Sequence, residues 1–371
     1  MTAKRGACFI GACLGIFLPL AYAYGAPRAA EDASGIKPSS LIVLPIVFYM
    51  PETRWGGGAG GLYTFYPGEY RQGNRPCSLL FDAYYTQNRQ YALELKPEIY
   101  LRGNTIFLDG LLSFDEFPNT YFGLGNDSSE DDGESYTPRS VTVEASAQRK
   151  VRPGGSLYIG LQARFEHMTM RRMEEGGALA SGLVPGSRGA NLTGLGFNLK
   201  WDNRDNVFFP RSGVQALATA MLFGRALGGE FDYSIFKMDL RVYQPVLAAH
   251  VLALQVILEA LAGTAPFTRI PKLGGDSVMR GYYSGRYRDK VLLAVQAEYR
   301  LPLWGRFGLT AFGGLGRVAC RLSRLCLRGV RYSAGCGLRF AVNREEKTNL
   351  RLDYGFGEGT AGLYFTVKEA F

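Results

Sequence analysis

From residue 41 onward the chain alternates apolar and polar positions one by one, in runs of about ten residues, the length of a membrane-crossing strand. Tyr91, Leu93, Leu95, Ile99 and Leu101 share one face, and Ala92, Glu94, Lys96, Glu98 and Tyr100 the other. Phe236, Met238, Leu240 and Val242 oppose Lys237, Asp239, Arg241 and Tyr243. Leu293, Val295, Ala297 and Tyr299 oppose Ala294, Gln296, Glu298 and Arg300, and Leu350, Leu352 and Tyr354 oppose Arg351 and Asp353. A period of two belongs to a β-strand whose faces meet unlike surroundings. Counted back from Phe371, the pattern predicts strands over 361–371, 347–355, 331–342, 306–318, 290–300, 251–263, 230–245, 213–223, 190–202, 155–170, 137–150, 105–115, 92–101, 79–87, 57–66 and 41–49, sixteen in all. Pro45 and Pro51 sit in or beside the first of these, where proline removes a ladder donor. Short turns fall at 150–154, 203–212, 246–250, 301–305 and 343–346, and long connections at 116–136, 171–189, 264–289 and 319–330. The two kinds alternate, so they lie at opposite ends of the sheet.

Alternation alone fits a water-soluble sandwich or a barrel in lipid. Charged residues of both signs share the polar faces, as a wet, self-neutralising lumen requires. The last run, Leu363, Phe365, Val367 and Phe371, is apolar on one face and ends on an aromatic residue. An export signal precedes the pattern: basic Lys4 and Arg5, an apolar stretch from Ala7 to Leu20, and a small-residue site at Ala21-Tyr22-Ala23. A closed barrel satisfies every backbone hydrogen bond in lipid, which an open sheet does not. The expected organisation is a signal peptide at 1–23, a short periplasmic segment at 24–40, and an antiparallel transmembrane β-barrel at 41–371 in the outer membrane of a Gram-negative cell.

Composition narrows the alternatives. With 47% hydrophobic residues, 20% charged residues and a mean hydropathy of −0.05, the chain lacks the long apolar spans of a helical membrane bundle. The net charge of +9 comes from basic residues interleaved with apolar ones rather than from a block, so nucleic acid is not an expected partner. Beyond the signal the cysteines are Cys77, Cys320, Cys326 and Cys336, without a CxxC pair, and no metal or cofactor is expected. Cys320 and Cys326 flank a short basic segment and either close a disulfide in an oxidising compartment or stay two thiols.

Catalytic readings find little support, and no enzyme is expected. Gly56, Gly58 and Gly61 match GxGxxG without a strand–helix context. There is no G-x-S-x-G elbow, and the two histidines, His167 and His250, fall at opposite ends of the expected sheet. Arg317, Arg321, Arg324, Arg328 and Arg331 crowd one external connection, where they either meet lipopolysaccharide phosphates or are simply solvated. Asp127, Glu130, Asp131, Asp132 and Glu134 make an acidic connection whose order faintly resembles a calcium loop; an ordinary solvated loop is the simpler reading.

Five local motifs carry a resemblance. Trp201-Asp202-Asn203-Arg204-Asp205-Asn206-Val207-Phe208-Phe209-Pro210-Arg211-Ser212-Gly213 is similar to a D-x-R-D…F-P-x-x-G periplasmic turn. Met279-Arg280-Gly281-Tyr282 resembles the V-R-G-F/Y signature of a loop that folds back into a barrel lumen. Gln296-Ala297-Glu298-Tyr299-Arg300-Leu301-Pro302 resembles the strand after that loop. Leu350-Arg351-Leu352-Asp353-Tyr354-Gly355 and Glu369-Ala370-Phe371 resemble the last two strands. Together they make the chain from 41 to 371 similar to the barrel of the BamA/TamA outer-membrane assembly family, the bacterial surface antigen family.

The resemblance implies protein insertion, translocation or lipid handling through a plugged lumen with a weak seam between first and last strands. It departs from the family in two places. About twenty residues lie between Ala23 and the first strand, too few for the periplasmic POTRA domains usual there. Gly314 in Phe312-Gly313-Gly314-Leu315-Gly316 stands where the family carries the aspartate of F-x-D-x-G, the usual partner of the loop arginine. Arg280 is therefore expected to pair with Glu298 or, failing that, Asp353, while Gly281 turns the loop and Tyr282 packs on the wall. The resemblance also implies that Phe371 is an insertion signal read by the barrel-assembly machinery, and that a separate periplasmic partner assists. The alternative is a passive outer-membrane channel or structural barrel.

Overall fold

The computed structural model describes residues 23–24, 39–50, 54–68, 71–247 and 249–371. The signal at 1–23 and the segment at 24–40 lie almost wholly outside them. The main strands are Ser40–Met50, Arg54–Phe65, Cys77–Thr86, Tyr91–Leu101, Ile106–Glu116, Glu134–Lys150, Leu157–Met173, Gly189–Asp202, Gly213–Phe223, Tyr233–Pro245, Val251–Gly263, Val291–Pro302, Phe307–Ala319, Arg331–Asn343, Thr348–Gly357 and Thr360–Val367. Each pairs antiparallel with the next, so among the described residues the ladders run in chain order from Ser40–Met50 to Thr360–Val367. Two short strands, Ala23–Tyr24 and Asn119–Tyr121, join the same sheet, which among the described residues thus counts eighteen strands, where sixteen were expected. No α-helix occurs among the described residues.

The wall is inside out by the standard of a water-soluble sheet. Leu161, Leu222, Leu315 and Leu195 are 70%, 66%, 57% and 53% exposed, whereas Glu298 and Asp353 are 0% exposed. Leaving a large apolar side chain in water rather than burying it costs roughly 1.5–3 kcal/mol. An exterior of hydrocarbon removes that cost for the whole belt, and water then belongs to the inside. Successive connections fall at opposite ends of the sheet, but length does not sort them strictly: the short connections 87–90 and 358–359 share an end with 117–133 and 264–290, and the longer 66–76 shares the other with 344–347. At one mouth, turn 66–76 touches turn 344–347 through Tyr66 and Glu346, whose Oη···Oε2 distance is 2.9 Å. At the other, Asn126 of loop 117–133 donates to the Gly329 carbonyl at 2.5 Å.

The last strand corrects one expectation. It ends at Val367 rather than Phe371, because Lys368 adopts a left-handed φ of 72° and turns the chain out of the wall. Phe371 is 3% exposed inside the turn mouth, so it is not a lipid-facing residue of the last strand.

Candidate functional site

The long connection 264–290 enters the lumen and lies on the inner face of the last strands. Register sets out a grid beneath it. One row across five strands reads Glu298, Phe312, Gly335, Gly355 and Gly362. The row on one side reads Gln296, Gly314, Ser333, Gly357 and Thr360, and on the other Arg300, Thr310, Gly337, Asp353 and Tyr364. Glycines in the middle of these rows leave a shallow trough in an otherwise filled wall.

The loop fills that trough. A Cβ added to Gly355 would lie 2.8 Å from the Arg280 carbonyl carbon, and one added to Gly357 would strike the Tyr282 ring. Gly281 has φ +114°, which glycine alone adopts without strain, and a Cβ there would sit 2.6–2.8 Å from the Phe356 backbone. The loop backbone is bonded to the wall on both sides. Gly281 N–H donates to Tyr364 Oη (2.9 Å), Thr360 Oγ1 donates to the Gly281 carbonyl (3.0 Å), and Met279 N–H donates to Gln296 Oε1 (2.8 Å). Tyr282 Oη donates to the Tyr332 carbonyl at 2.8 Å.

Arg280 supplies the charge. Its Nη2 lies 2.7 Å from Glu298 Oε2, its Nη1 bonds Asp353 Oδ2, and its guanidinium stacks 3.5 Å from the Phe312 ring centroid. Both carboxylates are engaged at once, where the sequence pointed to one or the other. Gly314 explains why no aspartate is needed there. A Cβ at 314 would lie 2.9 Å from Met279 Sδ, so the loop methionine occupies the space an aspartate would take.

The carboxylates are shared further. Arg300 Nε is 2.8 Å from Glu298, and Arg339 Nη1 is 2.5 Å from Asp353. Arg351 is 3.6 Å from Asp353 and 3.6 Å from Asp276 of the loop. Buried charges are tolerated only when paired, and here each carboxylate has several cations around it. Sequence reasoning did not single out Arg300, Arg339, Arg351, Gln296 or Tyr364 as part of the site. Their inward parity was visible, but not which inward residues of different strands lie level.

The turn motif forms a second, linked cluster. Asp202 takes Arg75 Nη1 at 2.6 Å and Arg204 Nη2 at 3.0 Å. Burial alone would push the Arg204 guanidinium down, but Asp202 outweighs it and holds it above the ordinary range. Asp205 Oδ1 accepts the N–H groups of Arg211 (2.8 Å) and Ser212 (3.1 Å), and Gly213 has φ +104°. Arg300 joins this turn to the latch, donating to the carbonyls of Pro210 (3.4 Å) and Phe371 (2.7 Å). Cys320 and Cys326 are free, exposed thiols in this structure. Glu134 is occupied by the N–H groups of Ala178 (2.8 Å) and Leu179 (3.0 Å), and Asp127 is exposed beside Arg331.

A large antiparallel sheet with an arginine of a long connection clamped to its charged face is the site that the comparisons must match. The sequence matches the Omp85 superfamily domain over residues 74–371, and the chain belongs to that superfamily, whose members are outer-membrane proteins. Among solved structures, the chain is similar in fold to BamA from Haemophilus ducreyi lacking POTRA domains 1–3 (TM-score 0.56, 15% identity, 89% of this chain and 69% of that one). It is also similar to CdiB from Acinetobacter baumannii (TM-score 0.54, 12% identity, 89% of this chain and 59% of that one). No curated protein matches the sequence.

Proposed function

We propose that this chain is a closed outer-membrane barrel that inserts or translocates polypeptide, held at rest by the loop latch. The observation that carries the reading is the Arg280 clamp between Glu298 and Asp353 in an Omp85 barrel. A loop that served only as filler has no need of a buried arginine, since apolar packing is as stable. A charged clamp is a reversible closure, because water entering the lumen competes with it. Closure of the wall is supported by bonds between its ends: Asn343 Nδ2 donates to Ser40 Oγ at 3.1 Å, and Lys368 Nζ lies 3.4 Å from Glu98. On this reading a periplasmic partner delivers the client, and the barrel-assembly machinery inserts the chain itself. The exposed Arg321, Arg324 and Arg328, beside Leu322 and the 93%-exposed Leu327, meet outer-membrane lipid and lipopolysaccharide phosphates.

The test is reconstitution into lipid vesicles with an unfolded barrel client, scored by client folding. Faster client folding than in empty vesicles is expected. In planar bilayers small, unsteady conductance is expected. A steady open pore together with no gain in client folding would favour the passive channel and overturn the proposal.

A further inference from the structure

The tail beyond the last strand occupies a built site of its own. In Thr360–Val367, Tyr364 and Thr366 point inward, to Gly281 N–H and to Arg351 Nε (2.8 Å), while Leu363 points outward. Continued, that alternation would send Glu369 and Phe371 outward with Leu363. The left-handed turn at Lys368 breaks it, and both side chains go inside. Glu369 accepts from Arg339 Nε at 2.7 Å and from Asn349 Nδ2 at 2.9 Å. Phe371 packs on Tyr243, Val251 and Ala253, and its carbonyl accepts from Arg300 at 2.7 Å. A cavity of about 230 Å³, lined among others by Tyr100, Phe107, Lys200, Arg204 and Phe208, adjoins the tail.

The parts of this site are recognition chemistry for a peptide: one cation for an acidic side chain, an apolar pocket for an aromatic one, and a second cation for the main chain between walls. We infer that it is a peptide-binding site, filled at rest by Glu369-Ala370-Phe371 and open, when the tail leaves, to an extended client segment with an acidic residue two positions before an aromatic one. The inference rests on the polypeptide-handling reading above and names what this mouth of the barrel accepts. A tethered occupant acts at an effective concentration on the order of mM, so the tail excludes weak free peptides. A client delivered to the same mouth competes on equal terms. Arg300 and Arg339 also reach the latch, through Glu298 and Asp353, so exchange of tail for client is felt at Arg280.

The experiment compares the intact barrel with a variant ending at Val367, both in detergent, using a dye-labelled Lys-Glu-Ala-Phe peptide and fluorescence anisotropy. The shortened barrel should bind it saturably, at least about tenfold more tightly than the intact barrel. A Lys-Gln-Ala-Ala peptide should not bind, and Arg339→Gln in the shortened barrel should abolish the preference. If the shortened chain does not fold, full-length Phe371→Ala, which keeps every strand, takes its place and should bind more peptide than wild type. Absence of any gain in a folded variant, or equal binding of the two peptides, overturns the site. Client folding in vesicles is scored separately on the intact chain, so loss of peptide recognition with client folding retained overturns this inference alone.

Discussion

Replacing Arg280 by alanine removes one cation that serves two buried carboxylates and covers one ring. Breaking a buried ion pair from one side costs about 3–5 kcal/mol. The abandoned carboxylates keep company, since Arg300 stays 2.8 Å from Glu298 and Arg339 2.5 Å from Asp353. The low end of the range therefore applies, about 3 kcal/mol, even with the lost contact to Phe312 included. At about 1.4 kcal/mol per decade, the fraction of molecules with a released loop should rise roughly a hundredfold. Limited proteolysis of the folded barrel reads that fraction, because cleavage follows the open population when opening and closing are fast. Cuts should map to 264–290. Arg280→Lys should fall between wild type and alanine, since it keeps the charge but loses the fork that reaches both carboxylates. Cleavage of Arg280→Ala within about twofold of wild type, at an unchanged unfolding temperature, would refute the reasoning, because a loop held by about 3 kcal/mol cannot lose its clamp unnoticed.

Three further outcomes follow from the same geometry. Gly281→Ala meets both a disfavoured φ and the Phe356 backbone, and should loosen the loop by about 2 kcal/mol or more, read by the same proteolysis. Gly314→Asp, which restores the residue usual in the family that the sequence resembles, should also loosen it because Met279 fills the space; Met279→Ala added to it should recover part of the loss in unfolding temperature, and no recovery would remove the steric explanation. Burial pushes Glu369 up, but Arg339 and Arg300 outweigh it and hold it below the ordinary glutamate range. Such a group stabilises the docked tail above its unfolded value of about 4.3 and ceases to do so as pH falls through the lower folded value. A fluorine label on Phe371 should therefore sharpen on acidification as the tail comes free, and Glu369→Gln should flatten that response; a line width independent of pH would exclude the mechanism.

Strand positions were legible because inward and outward side chains alternate wherever two solvents meet across one layer. The ends of Gly213–Phe223 and Val251–Gly263 coincide with those read from the pattern, and Arg331–Asn343 differs by a single residue. The motif around Arg280 and Gly281 was legible too, through its resemblance to the V-R-G-F/Y signature of the family. Its partners were less so. Glu298 was expected first and Asp353 only failing it, and the structure engages both. A signal for the trough was present and unused: Gly314 and Gly316, Gly335 and Gly337, and Gly355 and Gly357 repeat the same spacing in three successive strands.

The sequence by itself determined that the chain is built of two-faced strands and which side chains share a face, since those follow from a local period that needs no knowledge of distant residues. Only the tertiary structure decided which inward residues lie level. Register brings Glu298, Phe312, Gly335 and Gly355 into one row from four separate strands, and no single run of the chain contains that information. It also decided where Phe371 goes. Local alternation sends Glu369 and Phe371 outward together, but a glutamate in hydrocarbon is too costly when Arg339 waits across the mouth, and a one-residue turn at Lys368 carries both inside.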